Sequence, residues 1–204
     1  MRLKIIKESN NSLFKVNRVF PTIVANRVNS IFKKQTRWKR MLQIRKNHYK
    51  TIMKKKINIW PDTNEIYYAD FYRSTKLEKN LFIKDSIKKY ILPTLIKKFR
   101  ISDFEIRCHK FLPGQFLRAH FDHYISRLAI TINLSKKWKA DWGGLLCVLN
   151  DKTNKVNTLV PEWNSMNILI SKNKKKHDRK SGHFVTSVEK YARESRYSIT
   201  IFVR

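Results

Sequence analysis

Acidic residues are scarce in this chain: fifteen Asp and Glu face forty-five Lys and Arg in 204 residues, a formal net charge of +30. Such an excess favours contact with a polyanion such as RNA, a ribosome or an anionic surface. The charge is spread along the sequence, so a general habit of Lys usage that leaves solvated basic faces explains it equally well. Cysteine is nearly missing. Cys108 and Cys147 each lie in an apolar, strand-like segment and at no zinc-motif spacing, which argues against a disulfide framework or a cysteine zinc site and leaves two buried thiols. No apolar run approaches the roughly 20 residues that span a bilayer. The first ten residues hold no sustained apolar stretch of the secretory kind. The expectation is a soluble, cytoplasmic protein without a transmembrane segment.

What is present is the composition of a packed globule, 42% hydrophobic and 12% aromatic, in a length that suits one domain. Residues 1–60 carry seventeen basic residues and one acidic residue, Glu8. Within them Ile23, Val24, Val28, Ile31 and Phe32 recur at helical spacing after Pro21-Thr22. The run Arg37–Leu42 and Lys54–Lys56 read as exposed basic surface, with Trp38 as a packing anchor. A second helical stripe, Leu81, Ile87, Tyr90, Ile91, Leu95 and Ile96, predicts a helix over 77–99 kinked at Pro93.

From Phe104 the texture changes to short β-branched and aromatic runs between turn signals at Pro113-Gly114, 141–144, 150–154 and 172–182. This predicts an antiparallel β core with strands near 104–111, 115–121, 127–134, 144–149, 166–171, 183–188 and 196–203. The Lys-rich loop before His183 is placed as a lid would be.

His120 and Asp122 fall two residues apart at a strand end and so share a face. With His183 at the start of a later strand they make a two-histidine, one-carboxylate set, which suits non-haem iron(II) with open coordination positions. Thirteen residues after His183, Arg196 opens the last strand, where period two puts Arg196, Ser198 and Thr200 on one face. A guanidinium inside a barrel needs an anion, and its fork fits a carboxylate. An exposed arginine, or Arg193 in its stead, is the other reading. His48, His123 and His177 read as surface or packing, and Trp138, Trp142 and Trp163 as rim or core packing rather than stacking platforms.

The stretch Lys110-Phe-Leu-Pro-Gly-Gln-Phe-Leu-Arg-Ala-His-Phe-Asp122, then Arg127–Leu134, Trp138, Asp141–Leu149, His183 and Arg196-Tyr-Ser198, resembles the 2-oxoglutarate and iron(II) oxygenase superfamily in its prolyl 4-hydroxylase-like branch. The resemblance implies a mainly β fold, a double-stranded β-helix of the jelly-roll or cupin kind (104–204), supported by a basic N-terminal helical region (1–103) of the same domain. It implies iron(II) on His120, Asp122 and His183, with 2-oxoglutarate on Arg196 and Ser198. It further implies O2 as the oxidant and ascorbate as an optional reductant. The substrate class it implies is a peptidyl, prolyl-type residue, with a small molecule or sugar as the alternative. Trp142-Gly143-Gly144 resembles the family's Gly-Gly turn, a backbone device. Where many relatives carry a tyrosine, this chain has Phe111, so His109 or Asn133 is expected to supply the missing polar contact. The nucleic-acid demethylating branch fits poorly: Ser198 and Phe202 occupy its asparagine and second-arginine positions. The competing reading from charge alone is a non-catalytic basic β-barrel that binds nucleic acid. On either reading the basic surface suits an acidic or ribonucleoprotein partner.

Overall fold

The computed structural model describes residues 5–7, 13–46, 65–101, 103–122, 126–150, 155–170, 172–173, 176–179 and 182–204. The elements are β1 (Ile5–Lys7), β2 (Leu13–Asn17), α1 (Thr22–Lys34), β3 (Lys39–Lys46), β4 (Glu65–Arg73), α2 (Thr75–Glu78), α3 (Leu81–Tyr90) and α4 (Leu92–Phe99), followed by β5 (Phe104–Phe111), β6 (Phe116–His120), β7 (Leu128–Asn133), β8 (Leu146–Asn150), β9 (Lys155–Leu159), β10 (Ser165–Ile170), β11 (Lys172–Asn173), β12 (Lys176–Arg179), β13 (His183–Val185) and β14 (Arg196–Val203). His48, His123 and Lys54–Lys56 lie outside the described residues, as do the side chains of 172–180.

One curled antiparallel sheet runs in the order β1-β2-β10-β7-β14-β5-β4-β6-β13-β8-β9, with β3 attached to β4 and β11–β12 a separate hairpin. Its two faces follow from strand alternation. Ile199, Ile201 and Val203 of β14, Ile130 and Ile132 of β7 and Met166 and Ile168 of β10 point to the helices. There they pack with Val28 and Phe32 of α1, Ile83 and Ile87 of α3 and Leu95 of α4. Burying each such side chain stabilises the fold by roughly 1.5–3 kcal/mol. On the opposite face Phe111, Ala129 and Phe202 meet Leu146, Val148 and Val185 of β8 and β13. The sheet therefore closes over an interior in jelly-roll fashion.

The helix predicted over 77–99 is three pieces. Ser74 caps α2 by accepting from the Leu77 N–H, and Asn80 caps α3 by accepting from the Ile83 N–H at 3.1 Å. Pro93, in the first turn of α4, lacks the N–H that would continue α3 through Ile91. The N-terminal region is also not purely helical: β2 pairs with β10, and β4 lies between β5 and β6. The basic run 37–42, expected as exposed surface, is exposed at Arg37, Lys39, Arg40 and Leu42 and lies largely in β3, which pairs with β4. Both cysteines are free and buried.

Candidate metal and co-substrate site

β6 and β13 are antiparallel neighbours in which His183 stands directly across from His120. That pairing brings two residues far apart in sequence to ring centroids 4.2 Å apart. Asp122, just past the end of β6, turns its carboxylate between them: Oδ1 is 3.6 Å from His120 Nε2 and Oδ2 is 3.3 Å from His183 Nε2. The three ligand atoms lie within 4.8 Å of one another, close enough for a single ion.

The hydrogen bonding prepares this set for a metal. His120 Nδ1 lies 2.8 Å from the Arg118 carbonyl, which can only accept, so Nδ1 carries the proton and the Nε2 lone pair faces the carboxylate. Burial pushes the His120 imidazole down to about 4, with the neighbouring His183 acting in the same direction. Burial alone would raise the Asp122 carboxyl, but His183, by charge and hydrogen bond, and His120 hold it at about 2. A neutral imidazole beside a carboxylate is the protonation state that ligation of a divalent ion requires.

The inner face of the sheet opposite the triad is polar in rows. Strand registers place Ser165, Asn133, Ser198 and His109 at one level of β10-β7-β14-β5, and Asn167, Thr131, Thr200 and Arg107 at the next. One level from the first row, Arg196 stands across from Phe111, its guanidinium carbon 5.2 Å from the ring centre. Arg196 is buried and its Nε has no hydrogen-bond partner. Burial lowers it to about 10. A desolvated guanidinium with an unpaired N–H is a site for an anion, and a carboxylate matches its fork.

The Gly143-Gly144 turn packs beside this arginine, with Gly144 against its stem. Both have positive φ, +65° and +60°, and a Cβ on Gly144 would sit 2.8 Å from Arg196 Cδ. A Cβ on Gly143 would strike the Ser187 carbonyl at 2.0 Å. Trp138 donates its indole N–H to the Gly143 carbonyl at 3.0 Å and packs edge-on against Trp142, so both tryptophans serve packing.

His109 and Asn133 reach the same interior with different chemistry. The His109 ring lies 3.3 Å from Thr200 Oγ1 through Nδ1 and meets Phe71 edge-on. Burial first, then the cations Arg73, Arg107 and Arg196, pushes it down to about 3, so it is neutral and has one N–H to give. Asn133 Nδ2 donates to Ser165 Oγ at 3.0 Å, and that hydroxyl donates to the Glu162 carbonyl at 2.7 Å. This relay fixes the amide so that the buried, unpartnered Oδ1 is an acceptor. Tyr68 escaped the sequence reading. Its ring meets His120 edge-on at 6.0 Å and carries the Arg45 guanidinium at 3.4 Å. The aromatic run of β4 was the available signal, but the contact depends on long-range pairing.

The family model for the 2OG-Fe(II) oxygenase superfamily matches residues 106–204, which span the triad and Arg196. These residues belong to that superfamily. The protein is a dioxygenase that uses iron(II) and 2-oxoglutarate. Its fold is that of the prolyl hydroxylases. It is similar to a prolyl-4-hydroxylase of Pseudomonas putida (TM-score 0.60, 13% identity, 95% of this chain and 92% of that one). It is also similar to a Trichoplax adhaerens prolyl hydroxylase solved with a hypoxia inducible factor oxygen degradation domain peptide fragment (0.61, 14%, 95% and 84%). A third similar structure is a viral collagen prolyl hydroxylase of Paramecium Bursaria Chlorella virus-1 in complex with 2OG (0.58, 12%, 96% and 97%). No curated protein matches the sequence. Among the described residues no helix is long and apolar enough to cross a membrane.

Proposed function

We propose that His120, Asp122 and His183 hold the iron(II) and that Arg196, with Ser198 and His109, holds 2-oxoglutarate, for hydroxylation of a C–H bond in a peptidyl, prolyl-type residue. The observation that carries the reading is the triad on the β6–β13 pair, with Asp122 and His183 buried and His120 half-buried, beside an interior with an unpaired guanidinium N–H. Residues 104–204 then form the catalytic double-stranded β-helix, and residues 1–103 support it within one domain. When bound, the iron and co-substrate supply the oxidising power: 2-oxoglutarate is decarboxylated to succinate and CO2 as one oxygen atom of O2 enters the substrate.

The chain's own residues bind, orient and screen. Asp122 supplies the anionic ligand, and the His120 Nδ1–H···O=C bond keeps its Nε2 free to ligate. Arg196 takes the distal carboxylate, with Phe111 as its apolar backing. His109, neutral and one level away, takes the donor role that Phe111 cannot fill, while Asn133 adds an acceptor to the same wall. Phe202, Val185 and Trp138 keep bulk water from the chamber. The peptidyl substrate is supported by a prolyl hydroxylase neighbour solved with a peptide.

Anaerobic visible absorption tests the reading: protein with iron(II) is titrated with 2-oxoglutarate, beside Asp122→Ala and Arg196→Ala. A charge-transfer band that saturates in the parent protein, disappears in Asp122→Ala and requires far more co-substrate in Arg196→Ala is expected. No band in the parent protein would overturn the assignment.

A further inference from the structure

We propose that Arg45, at the mouth of the site, selects a substrate peptide with a carboxylate side chain beside the hydroxylated residue. The inference rests on the function proposed above and adds the substrate's charge. Arg45 lies near the end of β3, and its guanidinium carbon is 3.4 Å from the centre of the Tyr68 ring, which itself abuts the metal ligand His120. At that separation the guanidinium sits against the ring face, a cation–π contact that leaves its N–H groups without a carboxylate partner among the described residues.

Two nearby cations already have carboxylate partners. Arg40 makes a bidentate pair with Asp70 at 2.9 and 2.8 Å. Arg107, on the facing wall, is held by Glu105 at 2.7 Å. Arg45 is exposed, and no carboxylate among the described residues pairs with it. The site offers it none either: the charges of iron(II) and Arg196 cancel those of Asp122 and a 2-oxoglutarate dianion. Arg45 is then an unpaired positive charge stacked on the ring that abuts His120. An anion on the substrate meets it at the least desolvation cost.

The backbone favours a peptide over a nucleic acid as the carrier. Among the described residues β3 pairs with β4 alone, and none of them forms a strand along its other edge. That edge presents main-chain donors and acceptors of the kind an extended peptide pairs with. Leu42 and Ile44 on the same strand are 49% and 54% exposed and, by alternation, offer apolar contacts on the face opposite Arg45 to a peptide running along that edge.

The experiment uses the full chain, loaded anaerobically with iron(II) and 2-oxoglutarate. The probes are two fluorescent peptides with a central proline, identical except for Glu or Gln on its flanks, and a single-stranded RNA of similar length. Fluorescence anisotropy near physiological salt reads binding. The Glu peptide is expected to bind about ten-fold tighter than the Gln peptide. Arg45→Gln is expected to bring that ratio near one while leaving the Gln peptide unchanged. Lys97→Gln, an exposed charge on α4, is expected to leave the ratio intact. A ratio that survives in Arg45→Gln, a ratio of one in the parent protein, or an Arg45 dependence seen only with RNA overturns the proposal. The charge-transfer band measured on the same samples separates the two readings: its presence with no Arg45-dependent ratio sinks this inference alone, and its absence sinks the assignment beneath it.

Discussion

Arg196 and Phe111 face each other across the β14–β5 pair, so the cation that would receive a carboxylate is backed by a ring with no hydrogen-bonding group. A tyrosine there would add one donor. Phe111→Tyr is expected to tighten 2-oxoglutarate binding by about 1 kcal/mol. His109→Ala is expected to weaken it by a similar amount. Arg196→Lys, which keeps the charge and loses the fork, should cost at least about ten-fold in affinity. Co-substrate titration of the charge-transfer band measures all three. An affinity indifferent to His109 would remove that residue from the co-substrate site.

Metal binding should stabilise the fold, because the triad forms only when β6 and β13 are paired. At iron(II) about 100-fold above its Kd the gain is roughly 2.7 kcal/mol. For a chain of this size that raises the melting temperature by roughly 5–10 °C. Asp122→Ala is expected to melt at the same temperature with and without iron(II), and differential scanning fluorimetry under argon reads the difference.

The two glycines should separate fold from function. Gly143→Ala drives a Cβ into the Ser187 carbonyl, and backbone cannot swing aside, so a loss of about 3 kcal/mol or more in urea unfolding is expected. Gly144→Ala meets the stem of Arg196 instead. It is expected to cost about 1–3 kcal/mol and, by displacing the guanidinium, to weaken co-substrate binding more than it weakens the fold. The reverse order, Gly144→Ala folding poorly but binding normally, would contradict the role given to the turn.

Much of this was legible in sequence, for a physical reason. The strands from Phe104 onward are set by local alternation and turn chemistry, and His120, Asp122, His183 and Arg196 sit at strand ends where period two fixes their faces. β2 and β4 were not legible, because Leu13–Asn17 and Glu65–Arg73 find their partners beside β10 and between β5 and β6. Nothing in a short local window encodes such a partner. β9 was missed for another reason: most of Lys155–Leu159 is exposed, so it carries little apolar pattern. The Arg45–Tyr68 stack crosses the β3–β4 pair and was invisible for the same reason as β4.

Acid should destabilise the metal-free protein below the usual range for histidine. His109 is held in its neutral form, its pKa lowered to about 3, and His120 is lowered to about 4. The unfolded chain protonates these rings near pH 6.5, so below that pH it binds more protons than the folded state, and stability falls as pH falls toward 3. Urea midpoints measured from pH 7.5 to 5 are expected to decline. The decline should be shallower in His109→Gln, and an unchanged slope would show that the ring titrates freely.

The sheet turns its hydrocarbon side outward to the helices and its hydrogen-bonding rows inward, Ser165-Asn133-Ser198-His109 and Asn167-Thr131-Thr200-Arg107. A ligand entering such a chamber exchanges polar contacts with solvent for polar contacts with the wall and covers little new oil. Calorimetry of co-substrate binding should accordingly show a heat-driven association with a small heat-capacity change, unlike the entry of a greasy ligand into a greasy pocket.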